Sequence, residues 1–356
     1  MIPIKLPVTP NAPIVKNGNQ IEGDFELKAF GSFGFLQNVL FESSLVKYDG
    51  NYQNEVAHSK FFKNHLCSVY SIIKSHFPNG GKLVEVGCGK GAFLDIVKSD
   101  NHFEYAGYDN AYEGDDALIH PRYLTKTDRI DADIIVLRHT LEHIESPHKF
   151  LRLLNTIFGN TALIFIEVPQ FDWIDKGRVI FDLSYEHVNY FTANSLCSLF
   201  SRVIDFGDFF EGQYQYCLAE LGALSEENWI DFDVASKWCD VDIEEYYQKF
   251  HSSVNFLCTK KNIWVWGGAS KGVLFLMHLS NLCPSIFKKV VGVVDINPKK
   301  QSLFTPSTNI QIISDNQMFE ESEEGDVVLV MNPNYHDEIK DIIAVGTSHN
   351  IEVYNI

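Results

Sequence analysis

The sequence lacks paired cysteines. Cys67, Cys88, Cys197, Cys217, Cys239, Cys258 and Cys283 make an odd set, and no two of them are spaced as CxxC. That argues against a zinc ribbon and a disulfide framework, and it fits a reducing, cytoplasmic setting. A basic stretch is missing too. Against 47 Asp+Glu there are 29 Lys+Arg, a net charge of −18. A protein that binds nucleic acid displaces counterions with a cationic surface, so no nucleic-acid partner is expected. There is no apolar run of about 18 residues, so no membrane span is expected. The opening residues, MIPIKLPVTPNAPIVKNG, contain no apolar core of signal-peptide length.

What is present is an alternation of short apolar runs and amphipathic stretches. Residues 1–60 read as an irregular segment with scattered Pro, Gly and Asn. Residues 61–225 carry KLVEVG, FEYAGYD, ADIIVLR and NTALIFIEVP as strands, separated by helical spacing such as GAFLDIVKS. Strands alternating with helices predict an α/β fold with a doubly wound, Rossmann-like parallel sheet. Residues 226–260 are polar and aromatic, with a helix expected in their later part, and form a connector. Residues 261–356 restart the pattern with NIWVWGGASKG, VVGVVDINP, GDVVLVMNP and IEVYNI, which predicts a second, smaller Rossmann-like domain.

Two glycine loops follow strands. The first is Glu85-Val86-Gly87-Cys88-Gly89-Lys90-Gly91. Glycines at a strand-to-helix turn let the backbone approach a ligand with its amides exposed. Asp109 ends the next strand, where an acid can bind a ribose diol. With Ala92 the loop also satisfies GxGxxA, so a nicotinamide or an adenosyl cofactor fits at this point. The second loop is Gly267-Gly268-Ala269-Ser270-Lys271-Gly272, a phosphate cradle by composition. It lacks the GKS/GKT ending of a P-loop, so triphosphate hydrolysis is not indicated.

KLVEVGCGKGAFLDIV, GYD at 107–109 and DIIVLRHTLEHIESP at 133–147 resemble the class I S-adenosylmethionine-dependent methyltransferases. The resemblance implies that Glu85, Gly87, Gly89 and Gly91 surround the amino-acid end of S-adenosyl-L-methionine. It also implies that Asp109 binds its ribose and that His139 and Thr140 line its cleft. GGASKG with VVDINPKKQSLFTPSTNIQI is similar to the C-terminal domain of the sugar C-methyltransferases, which act on nucleotide-linked keto-sugars. That likeness, over roughly residues 35 to 356, implies substrate contacts from Ser270, Lys271, Asn297, Lys299 and Thr305. Tyr52 resembles a family tyrosine near the cofactor. Family members often begin with a zinc module built on CxxC pairs. Its cysteines are absent here, so no metal is expected.

The stretch FDLSYEHVNYF, residues 181–191, concentrates proton-handling groups beyond the fifth strand of the core. Ligands of open parallel sheets bind beyond the carboxyl ends of the strands. The family carries a Glu-His pair in this place, with a tyrosine two residues before the Glu. This chain has Glu186-His187, but Ser184 holds the tyrosine's place and Tyr185 is adjacent. Methylating carbon beside a ketone requires removal of an α-proton and a donor for the enolate oxygen. His187 is expected to be the base, Glu186 its support, and Tyr185 or Tyr190 the oxyanion donor. His143, in HTLEHI, is a further candidate from the family pattern. Both residues of the Glu-His pair can face one ligand only from a turn, because neighbours in a strand point to opposite faces. C-methylation is the leading reading. O-methylation and a nicotinamide-dependent sugar oxidoreductase are the alternatives, and no YxxxK pair supports the latter.

Overall fold

The computed structural model describes residues 4–30, 33–48, 52–53, 59–226 and 241–356. The segment expected to be irregular holds four short strands: β1 (Ile4–Pro7), β2 (Glu22–Phe25), β3 (Leu27–Phe30) and β4 (Phe35–Asn38). β1 pairs antiparallel with β2, and β3 with β4. Period-two patterning marks β2, where Gly23 and Phe25 are buried and Glu22 and Asp24 exposed. β4 is buried on both faces, which hides that signal. A partner distant in sequence completes its sheet: β10 (Asn189–Tyr190) pairs with it, Asn189 opposite Gln37 and Tyr190 opposite Leu36.

The core begins with α1 (Lys60–His76), whose Phe62, Leu66, Val69, Tyr70 and Ile73 form one buried face at helical spacing. Seven strands follow as one sheet: β5 (Gly81–Val86), β6 (Phe103–Tyr108), β7 (Ile119–His120), β8 (Ile134–Arg138), β9 (Leu163–Pro169), β11 (Val203–Phe209) and β12 (Tyr214–Glu220). Their order is β11-β12-β9-β8-β5-β6-β7. β12 lies antiparallel between β9 and β11, and the other neighbours run parallel. Ile134 to Leu137 are wholly buried, as central parallel strands covered on both faces require. α2 (Ala92–Asp100), α3 (Pro147–Phe158), α4 (Phe171–Gly177) and α5 (Ala193–Cys197) fill the connections.

Of the connector, residues 227–240 lie outside the described residues, and α6 (Ile243–Val254) is the helix in its later part. Tyr246 of α6 donates to Asp175 at 2.9 Å, and Phe250 packs on Phe275. The second sheet contains β13 (Ile263–Trp266), β14 (Val290–Val294), β15 (Ile312–Ile313), β16 (Val327–Val330) and β17 (Glu352–Asn355). All are parallel, in the order β15-β14-β13-β16-β17. Its helices are α7 (Ser270–Leu282), α8 (Pro284–Phe287), α9 (Asp315–Glu321) and α10 (His336–Gly346). This is the two-sheet α/β architecture the sequence predicts.

The two sheets are joined by polar contacts as well as by α6. Glu338 of α10 caps α1: it accepts from the Ser59 hydroxyl at 2.8 Å and from the amides of Lys60 and Phe61 at 3.0 and 3.1 Å. An anionic carboxylate there satisfies free amides at a helix N-terminus. Gln213 and Asn332 exchange two buried amide hydrogen bonds of 3.1 and 3.0 Å.

Candidate functional site

The first glycine loop turns sharply from β5 into α2. Gly87, Gly89 and Gly91 have φ of +79°, +55° and +86°. A Cβ on Gly87 would lie 2.2 Å from the Thr140 hydroxyl, whereas one on Gly89 would meet no atom within 4 Å. The loop is therefore closed against Thr140 at one end and open above Gly89. Asp109 holds it, accepting from the Gly89 amide at 2.8 Å and from the Ala111 amide at 2.8 Å. An open glycine turn held by the Asp109 carboxylate leaves room for a ligand above Gly89. Gly87→Ala is expected to cost about 1–3 kcal/mol of stability from left-handed φ plus the clash, and to lower affinity for S-adenosylhomocysteine at least tenfold; thermal unfolding and calorimetry read both effects.

A buried charge network lies beneath the loop. Arg138, at the end of β8, places Nε 2.8 Å from Glu167 and Nη1 3.8 Å from Glu85. His65 of α1 approaches Glu167 to 2.5 Å, and His139 approaches the same oxygen to 3.8 Å. Burial pushes the Glu167 pKa up, but Arg138 and His65 outweigh it and hold the carboxyl well below the usual range. For Glu85 burial wins, and its pKa is pushed up to about 8. His139 follows Arg138 with φ +47°, an uncommon conformation for a non-glycine residue, and stacks edge-on to Tyr214 at 4.5 Å.

The 181–191 stretch is a turn at its centre: the His187 amide donates to the Ser184 carbonyl at 3.2 Å. The turn sends Glu186 and His187 to different places. Glu186 is buried and accepts from Tyr52 at 2.7 Å, with Asn11 and the Ser270 hydroxyl each 3.4 Å away. Burial raises its pKa against the opposing pull of His143 and these donors. The ring of His187 faces His143 instead, with centroids 5.0 Å apart and planes at 77°. Burial and the His143 ring push the His187 pKa down to about 3, with Glu142 acting in opposition. So His187 is neutral at ordinary pH, and Glu186 is not its supporting carboxylate. Glu142, in the turn Leu141–His143, is the acid beside the imidazoles.

Neither tyrosine expected as an oxyanion donor is free. Tyr185 accepts from the Glu42 amide at 2.8 Å, and its ring lies where a Cβ on Gly23 would come within 2.1 Å. Tyr190 is engaged with both the amide and the carbonyl of Ser184, at 2.8 and 3.0 Å. Both rings pack into one buried cluster with Phe25, Leu27 and Leu36, and Tyr190 reaches it through the pairing of β10 with β4. Tyr48, which the sequence reading did not single out, places its hydroxyl 3.0 Å from His143 Nδ1. His143 Nδ1 is also 2.9 Å from the Glu186 carbonyl oxygen. That oxygen can only accept, so Nδ1 carries the proton and Nε2 the lone pair. Asn189 ties the two histidine turns together by donating to the carbonyls of Ile144 and Leu141 at 2.6 and 3.3 Å.

The second glycine loop is already occupied by the chain. The Ser270 amide, at the start of α7, donates to Asn11 at 3.0 Å, and its hydroxyl accepts from Asn11 at 2.8 Å. Lys271 pairs with Asp182 at 2.5 Å above the Trp173 ring. Asn297 is buried in the turn after β14, where its side chain accepts from the Lys299 amide at 3.0 Å. Thr305 is wholly buried and organises its own turn through the Ile310 amide and Thr308. Among these expected substrate contacts, Lys299 is half exposed, 3.9 Å from Glu113, which also binds Lys90 of the first glycine loop at 2.9 Å.

A seven-stranded, mostly parallel sheet with an open glycine loop after β5 is a Rossmann-like core. Two domain families match the chain: a methyltransferase domain over residues 61–203 and a C-methyltransferase C-terminal domain over residues 239–348. The chain is thus an S-adenosylmethionine-dependent methyltransferase with a C-methyltransferase C-terminal domain, and the nicotinamide reading is set aside. No curated protein matches it. Similar solved structures include the plantazolicin methyltransferase BpumL with a monoazolic desmethylPZN analog and SAH, 14% identical over 45% of this chain and 84% of that one, TM-score 0.35. The PH0226 protein from Pyrococcus horikoshii OT3 is 12% identical over 46% and 93%, TM-score 0.36. The N-methyltransferase NodS from Bradyrhizobium japonicum WM9 is 11% identical over 46% and 98%, TM-score 0.33. Among the described residues no helix is long and apolar enough to cross a membrane.

Proposed function

We propose that this enzyme methylates a carbon of a nucleotide-linked keto-sugar in the cytoplasm, with His187 as general base. Residues 61–225 form the cofactor unit, 226–260 the connector and 261–356 the substrate unit. The observation that carries the reading is the His143–His187 pair, 5.0 Å apart, at the carboxyl edge of the core sheet. The match to a C-methyltransferase C-terminal domain favours carbon over oxygen as the acceptor.

Glu85, Gly87, Gly89 and Gly91 are the residues to hold the cofactor's amino-acid end, with Asp109 at its ribose and His139, Thr140 and Tyr52 alongside. S-adenosylmethionine supplies, when bound, a methyl group on a sulfonium. The remaining work belongs to the chain. His187, neutral at working pH, accepts the α-proton at a ring nitrogen, and Glu142 stabilises the imidazolium that forms. Because the single Nδ1 proton of His143 goes to the Glu186 carbonyl, that nitrogen cannot accept from the Tyr48 hydroxyl 3.0 Å away, and the Tyr48 O–H is left to donate to the enolate oxygen. Glu186, joined to Tyr52, Asn11 and Ser270, knits the N-terminal segment and α7 to the core, and so fixes the elements that would border the sugar. Lys299 is the exposed cation suited to the nucleotide phosphates.

The test is product analysis. Purified enzyme is incubated with methyl-labelled S-adenosylmethionine and a panel of nucleotide-linked keto-sugars, and the product is read by NMR. A methyl carbon bonded to a ring carbon is expected. An O-methyl signal overturns the C-methylation reading.

A further inference from the structure

The reading above uses Glu142 only as a counter-charge, yet its surroundings suit more. Glu142 is 1% exposed; His139 Nδ1 approaches its Oε1 only to 3.5 Å, and neither carboxylate oxygen makes a well-formed hydrogen bond. The buried Nδ1 of His187 has none either. One ligand-capable atom from each of Glu142, His143 and His187 lies within 4.8 Å of the other two. Buried polar groups are almost always satisfied, so several unsatisfied atoms converging on one point indicate a ligand. All of these groups are acceptors or lone-pair donors, so the missing partner is a cation or a strong proton donor.

The donor types narrow the choice. Two imidazoles and a carboxylate suit zinc-class dications, with an open position left over. His143 has the support such ligands need, since Nδ1–H donates to the Glu186 carbonyl and leaves Nε2 free. Asn189, in turn bound to Gln37 at 2.9 Å, braces both histidine turns from behind. Ligands about 2.1 Å from an ion stand about 3.4 Å apart around a tetrahedron, so a group whose atoms lie within 4.8 Å of one another has to close by up to about 1.4 Å.

We infer that Glu142, His143 and His187 bind one divalent transition-metal ion of the zinc class. The bound ion takes the imidazole lone pair that proton abstraction needs, so the metal-loaded enzyme is inhibited. The site does not depend on the acceptor's identity; the inhibition rests on His187 being the base. Zn²⁺ is the probe. Cys283 is replaced by serine in every protein tested, because its thiol lies 3.2 Å from His251 Nδ1 and the pair offers a competing thiolate–imidazole site.

Calorimetry and elemental analysis are expected to find one zinc per chain, bound at least tenfold more weakly in Glu142→Gln and in His143→Ala. Retained binding of S-adenosylhomocysteine shows that both variants are folded. Zinc is expected to abolish turnover, and a chelator to restore it. The site is overturned if Zn²⁺ does not bind, if both variants bind it as the parent does, or if Co²⁺ in its place shows thiolate charge-transfer absorption. Stoichiometric zinc that leaves turnover intact would instead overturn the inhibition and the base role of His187, with the metal site standing.

Discussion

Replacing His187 with alanine is expected to lower turnover by roughly 10²–10⁴-fold and to leave affinity for S-adenosylhomocysteine within about twofold. The imidazole lies beside His143 and Glu142, whereas the cofactor loop belongs to β5 and α2, so the two measurements separate chemistry from binding. The pH profile sharpens the test. The folded pKa of His187 lies near 3, below the ordinary value, so the base form persists as pH falls. From pH 8 to pH 6, where an ordinary histidine gains its proton, kcat/KM is expected to stay level. A decline centred near 6.5 in the wild type, absent from the variant, would show that the environment described here does not hold during turnover. Glu186→Gln is the contrasting variant. Were Glu186 the support of the base, it would reproduce the His187→Ala loss. With its carboxylate directed to Tyr52, Asn11 and Ser270, it is expected to act mainly on KM. Steady-state kinetics on both variants decide between the two arrangements.

That contrast marks where sequence reading stops. The parallel strands of both sheets were legible because runs such as IIVLR and IWVW are too short and too apolar for surface helices and are followed by turns, whereas the antiparallel β11 and β12 were not read from the sequence. The first glycine loop was legible because its glycines are required by the backbone: three positive φ angles within five residues. The N-terminal strands were not, because β4 gains its second partner from β10, more than a hundred residues along the chain. The direction of Glu186 was hidden for a related reason. Adjacency in sequence suggested shared work with His187, but one turn separates them, and the partners of Glu186 come from residues 11, 52 and 270. Lys271 and Ser270 looked like phosphate ligands by composition; only the fold reveals that Asp182 and Asn11 already hold them. Glu142 stood inside a recognised motif, and nothing in the spacing says that its oxygens are buried with His139 at 3.5 Å as their nearest ion-pair contact and no well-formed hydrogen bond.

The second large effect is on stability, and it comes from the pair of glutamates on either side of Arg138. Glu167, held below the ordinary carboxylate pKa, contributes stability above about pH 4.5 that is lost as pH falls through its depressed folded value. Glu85, raised to about 8, acts in the opposite sense. The folded protein keeps its proton where the unfolded chain has released it, so stability is lost as pH rises from about 4.5 to 8. Together they place the optimum on the acid side of neutrality, with a loss on the order of a few kcal/mol toward pH 8. Glu85→Gln keeps the shape and cannot ionise. It is expected to remove the alkaline limb, leave the acid limb in place and match or exceed wild-type stability at pH 8. Arg138→Met is the opposite case: it strands Glu167 without its cation and is expected to cost about 3–5 kcal/mol at neutral pH. Urea unfolding across pH 4–9, without cofactor, measures all three proteins. An alkaline limb that survives in Glu85→Gln would assign it to another group and remove Glu85 as the buried acid that keeps its proton.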